Sequence, residues 1–242
     1  MTRTRLVWTL AGATVLTQVA YPLTSGPVRD RLTVGTVLLF FATSVAHALV
    51  TRGPRTAAVL VAVTAGGGLV VESVGTATGY PFGSYTYGDS LGATVLGVPA
   101  VIPLAWTMMA WPAWLVATRL VRHTLARVAV AGWALASWDV FLDPQMVAAG
   151  HWSWAGGDIP LTNYAAWLGV AVLMMSLLPR VTVHDGHDGH DAAMYALYLW
   201  TYASSVLAHA VFLGLPASAA WGALAMGPVA VPLAVSLWRA RR

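Results

Sequence analysis

The sequence predicts an all-α polytopic transmembrane helix bundle of about eight helices, and three observations predict it. First, 58% of the 242 residues are hydrophobic and only 9% are charged, whereas a soluble domain needs about a quarter of its residues charged to cover its surface. Second, windows of about 20 mainly apolar residues, the length that crosses a bilayer, recur near 6–23, 32–50, 56–76, 95–118, 125–142, 161–178, 192–213 and 218–238. Third, the basic residues are all Arg and fall at the ends of these windows. There is room for one membrane domain, residues 1–242, and for no separate soluble one.

The first span follows Arg3 and Arg5, as the core of a signal peptide would. No small-x-small cleavage site comes after it, since the chain reads Gln18-Val19-Ala20-Tyr21-Pro22, so it is expected to be retained as a helix. The breaks between spans carry turn chemistry or charge. They are Ser25-Gly26-Pro27, Arg52-Gly53-Pro54, the Gly/Tyr stretch 79–88, the Arg119 to Arg127 segment, Asp143-Pro144, Pro179-Arg180 and Gly214 to Pro216.

Eight spans put the N-terminus, loops 2, 4 and 6 and the C-terminus on one face. That face carries Arg3, Arg5, Arg52, Arg55, Arg119, Arg122, Arg127, Arg180, Arg239, Arg241 and Arg242; the other carries Arg29 and Arg31. Eleven against two predicts cytoplasmic termini in a multi-pass protein of the cell membrane, and a seven-span count would spoil the bias. The pI near 9.8 is not read as nucleic-acid binding, because the Arg residues form no contiguous patch. The absence of Cys excludes disulfides and thiolate metal sites.

Acidic side chains inside spans are costly, and each is a functional-site hypothesis. Glu72, the only Glu in the chain, falls near the outer end of the third span. Asp139 and Asp143 fall at the outer end of the fifth, four residues apart and so on one helical face. His209 falls near the outer end of the seventh. Alternating helix direction brings all four to a similar depth on the Arg-poor side, where Arg29 and Arg31 could pair with at most some of the acids. His47 falls near the inner end of the second span and reads as a separate packing residue.

Two outer loops join these helices to the next: Gly79-Tyr80-Pro81-Phe82-Gly83-Ser84-Tyr85-Thr86-Tyr87-Gly88, and Gly150-His151-Trp152-Ser153-Trp154-Ala155-Gly156-Gly157-Asp158-Ile159-Pro160. Each leads into a helix start of related wording, Ile102-Pro103-Leu104-Ala105-Trp106 and Ile159-Pro160-Leu161-Thr162-Asn163-Tyr164. Glycine permits tight turns there and the rings offer a flat apolar lining. An interfacial aromatic belt is the competing reading of the same rings. The tract His184 to Asp191, an H-D-G repeat, reads as a solvated cytoplasmic loop with a possible affinity for divalent metal.

With Glu72 and the Asp139…Asp143-Pro144 pair, these two boxes resemble the membrane carotenoid biosynthesis proteins of the CruF type. They cover roughly 100 central residues, and the hydropathy profile extends the likeness over most of the chain. The resemblance implies a carotenoid hydratase, a hydro-lyase adding water across the terminal C1=C2 bond of an acyclic end group. It also implies a lipophilic carotenoid substrate, membrane lipid as surroundings and other carotenoid biosynthesis enzymes as partners. Family substrates include bisanhydrobacterioruberin, γ-carotene and lycopene-like ends. The chain departs from the pattern before the second I-P-L box, where the short Gly156-Gly157-Asp158 replaces a longer Tyr/Gly stretch; that bears on substrate choice.

Such a hydration needs a proton donor, a pocket tolerant of a tertiary cation and a held water. The Asp139/Asp143 pair as donor with Glu72 activating water, or the reverse, meets the first and last needs. Neighbouring carboxyls tend to share a proton, leaving one neutral and one charged. Tyr85, Tyr87, Trp106, Trp152 and Trp154 are candidates for the cation-facing wall, and Asn163 and His209 for orienting water. No metal or redox cofactor is required. A proton-coupled transporter using the same acids as a relay is the alternative. A metal-dependent lipid-modifying enzyme with His47 and His209 as ligands is weakened by the opposite depths of those two residues.

Overall fold

A computed structural model describes residues 3–180 and 190–242, so residues 184–189 of the H-D-G tract lie outside it. Eight helical rods follow one another: α1 Arg3–Ala20, α2 Gly26–Arg52, α3 Pro54–Thr78, α4 Val101–Leu120, α5 Thr124–Ala148, α6 Leu161–Leu177, α7 Ala192–Leu207 and α8 Pro216–Arg239. Wider π turns interrupt α3 at Ala62–Gly66 and prolong α7 over Ala208–Phe212. Six rods are long and apolar enough to cross a membrane. The fold is a multi-pass helical membrane bundle.

Apolarity on all sides sends α4 to the centre. Nearly all of it is buried, with Trp106, Trp111 and Trp114 inside, and α2, α5, α7, α8 and the π turn of α3 pack around it. Helices α1, α3 and α8 form the rim, where Leu16, Val70 and Leu224 are exposed and face lipid. A glycine brings α5 and α6 together: a Cβ on Gly132 would meet Val172 backbone at 3.1 Å, too close for a side chain without a shift.

The structure moves two expected boundaries and pairs two loops. Asp143-Pro144 is not a break, because α5 continues to Ala148; a proline removes one amide donor but need not end a helix held by neighbours on both sides. The fourth span starts at Val101 rather than 95. Before it, Thr94–Val95 (β2) and Val98–Pro99 (β3) form a small hairpin turning through Leu96 at φ 52° and Gly97 at φ 81°. Finally, the two aromatic loops are not independent. Tyr85–Tyr87 (β1) pairs antiparallel with Trp152–Trp154 (β4), with Tyr85 opposite Trp154 and Tyr87 opposite Trp152.

Candidate active site

The β1–β4 ribbon caps the bundle end that carries the acids. Its pleat alternates side chains, so Tyr85, Trp152 and Trp154 are buried and Tyr87 is half-buried, while Thr86 and Ser153 face out. Two backbone bonds extend the pairing, Gly88 N–H to His151 O at 2.8 Å and Ala155 N–H to Ser84 O at 2.9 Å. Cross-strand ring pairs tighten it, with centroids 5.8 Å apart for Tyr85 and Trp154 and 5.7 Å for Tyr87 and Trp152.

Beneath the ribbon, the buried Glu72 receives three donors. The Tyr85 hydroxyl donates to Oε2 at 2.6 Å, the Tyr87 hydroxyl to Oε2 at 2.8 Å, and Trp106 Nε1–H to Oε1 at 3.2 Å. Glycine on the same face of α3 makes this approach possible. A Cβ on Gly75 would lie 2.7 Å from the Tyr85 hydroxyl, and one on Gly68 2.7 Å from Trp106 Cδ1. Gly79, at φ 74°, then ends α3 by returning its N–H to Gly75 O. Burial first, and the carboxylate of Glu72 second, push both tyrosine hydroxyls above their ordinary range.

The second acid group sits on α5. Asn163, in the first turn of α6, donates through one amide nitrogen to Asp139 Oδ2 at 3.0 Å and to Asp143 Oδ2. Asp143 Oδ1 accepts from Trp152 Nε1–H at 3.1 Å. Asp139 Oδ1 has no donor among the described residues, although Asp139 is fully buried. No Arg or His among the described residues is within ion-pair distance of Glu72, Asp139 or Asp143. Arg29 instead lies 5.4 Å from the Tyr21 ring centroid, and Arg31 donates to Pro27 O.

One cavity of about 140 Å³ joins the two groups. Glu72, Asp143 and Asn163 line it with Tyr85, Tyr87, Trp106, Trp152 and Trp154; Asp139 is not in the lining and is linked to it by the Asn163 hydrogen bond. One of the expected residues lies elsewhere. His209 sits one residue back, bonded to Gln145 Oε1 at 3.0 Å and Ser218 Oγ at 2.9 Å, and it is Gln145 that meets the cavity. His47 is at the opposite end, where it accepts from Trp111 Nε1–H at 2.9 Å and bonds His190 O at 3.0 Å.

Sequence reasoning gave no role to Trp138, Trp167 or His151. Trp167 stacks on Trp106 at 3.8 Å and meets Trp138 edge-on at 6.4 Å, completing the aromatic wall. Its position four residues after Asn163 was the available signal. His151 is fully buried and latches the ribbon, with Nδ1 2.7 Å from Ser90 Oγ and Nε2 3.5 Å from Thr33 Oγ1 of α2. Burial lowers its pKa, partly offset by Asp30. No single-residue pattern marks such a latch.

Fold and chamber together define a multi-pass membrane protein with two acid sites sharing an aromatic-walled interior. The sequence signature of carotenoid biosynthesis proteins matches residues 33–239, and the chain belongs to that family. It is also 35% identical over 115 residues to the bisanhydrobacterioruberin hydratase of Haloarcula japonica. That match covers 43% of this chain and 39% of the relative's length. No solved structure matches the chain.

Proposed function

We propose that the protein is a carotenoid hydratase, adding water across the terminal C1=C2 bond of an acyclic end group to give a tertiary alcohol. The observation that carries this reading is the unequal hydrogen bonding of two acids facing one chamber. Three donors converge on Glu72, which suits an acceptor-only carboxylate. The Asp pair shares the Asn163 donor and leaves Asp139 Oδ1 without one, so a proton held between the two carboxyls supplies what the site lacks.

In this reading the Asp139/Asp143 pair delivers its proton through Asp143 to C2, and the positive charge forms at C1, where two methyl groups stabilise it. The rings of Trp106, Tyr87 and Trp152 face that cation. Water bonds to C1 and gives a proton to Glu72, and that proton returns across the chamber to the Asp pair. Atoms balance: alkene plus water gives alcohol, and both acids regain their starting states. A chamber of about 140 Å³ is small for a whole carotenoid and suits one end group, with the rest of the polyene reaching toward lipid. The Arg distribution supports placing this chamber on the extracytoplasmic side of the cell membrane.

The test is expression in a host that accumulates lycopene. A hydratase yields a more polar pigment heavier by one water, with its oxygen drawn from labelled water. Label from dioxygen, or no product alongside proton flux that depends on the acids, refutes the reading and favours a hydroxylase or a carrier respectively.

A further inference from the structure

The chamber has a second polar pole that the acids do not explain. It extends to Gln18 on α1, Thr36 on α2 and Thr201 and Ser205 on α7. Threonine inside a helix ordinarily hides its hydroxyl by bonding the carbonyl four residues back. Thr14, Thr33, Thr43, Thr64 and Thr118 all do so here. Thr201 does not: it is 3% exposed, lines the chamber, and its Oγ1 has no partner among the described residues. Gln18 Oε1 is likewise buried without a donor. The neighbouring Ser204 hydroxyl turns to its own helix, toward Thr201 O at 3.5 Å. Polar atoms left unsatisfied at membrane depth are costly; a hydroxyl in the chamber can accept from Thr201 and donate to Gln18, both of which line it.

We propose that Thr201 and Gln18 form a hydroxyl-binding subsite, separate from the acid groups, that takes the O–H of water or of an oxygenated isoprenoid. It rests on the hydratase reading only for its role in turnover; binding is independent of it. The subsite gives the chamber a second anchor, so that a substrate already bearing oxygen, or a water that will replace the one consumed, is held apart from the carboxyls.

The full chain in nanodiscs is tested by thermal unfolding, followed by tryptophan fluorescence, with geraniol and with the hydrocarbon of the same skeleton lacking the hydroxyl. Wild type should be stabilised more by the alcohol. Thr201→Val should erase that excess, corresponding to a loss of about three- to tenfold in affinity for geraniol, and Thr201→Ser should restore it. Gln18→Leu tests the same point should Thr201→Val fail to fold. Equal stabilisation of wild type by both compounds, or an excess that persists in both variants, overturns the subsite.

Turnover then identifies the source of the hydroxyl. If the site holds water, Thr201→Val lowers kcat on every carotenoid with KM held, whereas if it holds a substrate hydroxyl, Thr201→Val raises KM for oxygenated carotenoids selectively. Alcohol-specific stabilisation in a protein that hydrates no carotenoid would sink the hydratase reading and leave the subsite standing.

Discussion

Glu72→Gln separates charge from shape. The amide fills nearly the same volume, so the loss reads mainly the missing charge. A tertiary cation about 4 Å from a carboxylate, at an effective dielectric near 20, is stabilised by about 4 kcal/mol. Removing that term slows the step by about 10³-fold. Hydrogen bonding adds to the loss, because an amide has one acceptor oxygen for three converging donors. Either the Trp106 N–H faces an NH₂ or the two tyrosines must turn to accept. The assay is conversion of carotenoid in isolated membranes, read by chromatography and mass, with tryptophan-monitored unfolding as the check that the variant is folded. Conversion within tenfold of wild type, in a folded variant, would refute the role of Glu72 as the charge facing the cation.

Further outcomes follow from the other contacts. Tyr85→Phe removes the 2.6 Å donor to Glu72 and should cost about tenfold or more in turnover, as a hydrogen bond to a charged group typically does; an unchanged rate sinks that contact's importance. Asn163→Leu strips the shared donor from both aspartates and should abolish conversion while lowering the unfolding temperature, since two buried acceptors lose their partner. Gly75→Ala places a methyl group 2.7 Å from the Tyr85 hydroxyl and should reproduce the Tyr85→Phe loss without touching an acid; full activity would mean the ring can move aside. His151, whose pKa burial lowers, resists protonation in the closed ribbon. The open loops therefore bind more protons, and closure weakens as pH falls below about 6.5. Protection factors of residues 84–88 and 151–155, with the intrinsic pH dependence of exchange divided out, should fall over that range in wild type and become independent of pH in His151→Phe.

The spans were legible because hydropathy and Arg placement follow from the bilayer itself, which acts on every residue of a helix in the same way. The acids were legible for the same reason: Glu72, Asp139 and Asp143 stand out against an apolar background. What was missed depends on pairing between distant segments. The β1–β4 ribbon joins residues nearly 70 positions apart, and its strands are three residues each, too short for a window-based signal. Yet the alternation was present in Tyr85-Thr86-Tyr87 and Trp152-Ser153-Trp154, apolar in and hydroxyl out, a period of two inside what read as irregular loops. Reading those loops only as glycine-rich linings hid the strand pattern. The continuation of α5 through Pro144 was missed for a different reason, since local sequence marks a break that packing against α6 and α8 overrides.

Pairing the two loops has a chemical consequence that neither loop would have alone. Tyr85 and Tyr87 bind the acid on α3, and Trp152 binds the acid on α5. Because these strands are registered to each other, the ribbon ties the two carboxyl sites into one unit and fixes their relation. A donor and an acceptor of protons acting on one end group must hold their separation to within a fraction of an ångström. Helices α3 and α5 are separated in sequence by all of α4 and could not guarantee that alone. Lengthening the second loop by two glycines after Trp154 keeps every acid and its direct partners but loosens the ribbon's closure. On this view it should lower kcat while sparing insertion and overall stability. Retained kcat in that variant would mean that the helices set the geometry and the ribbon merely covers it.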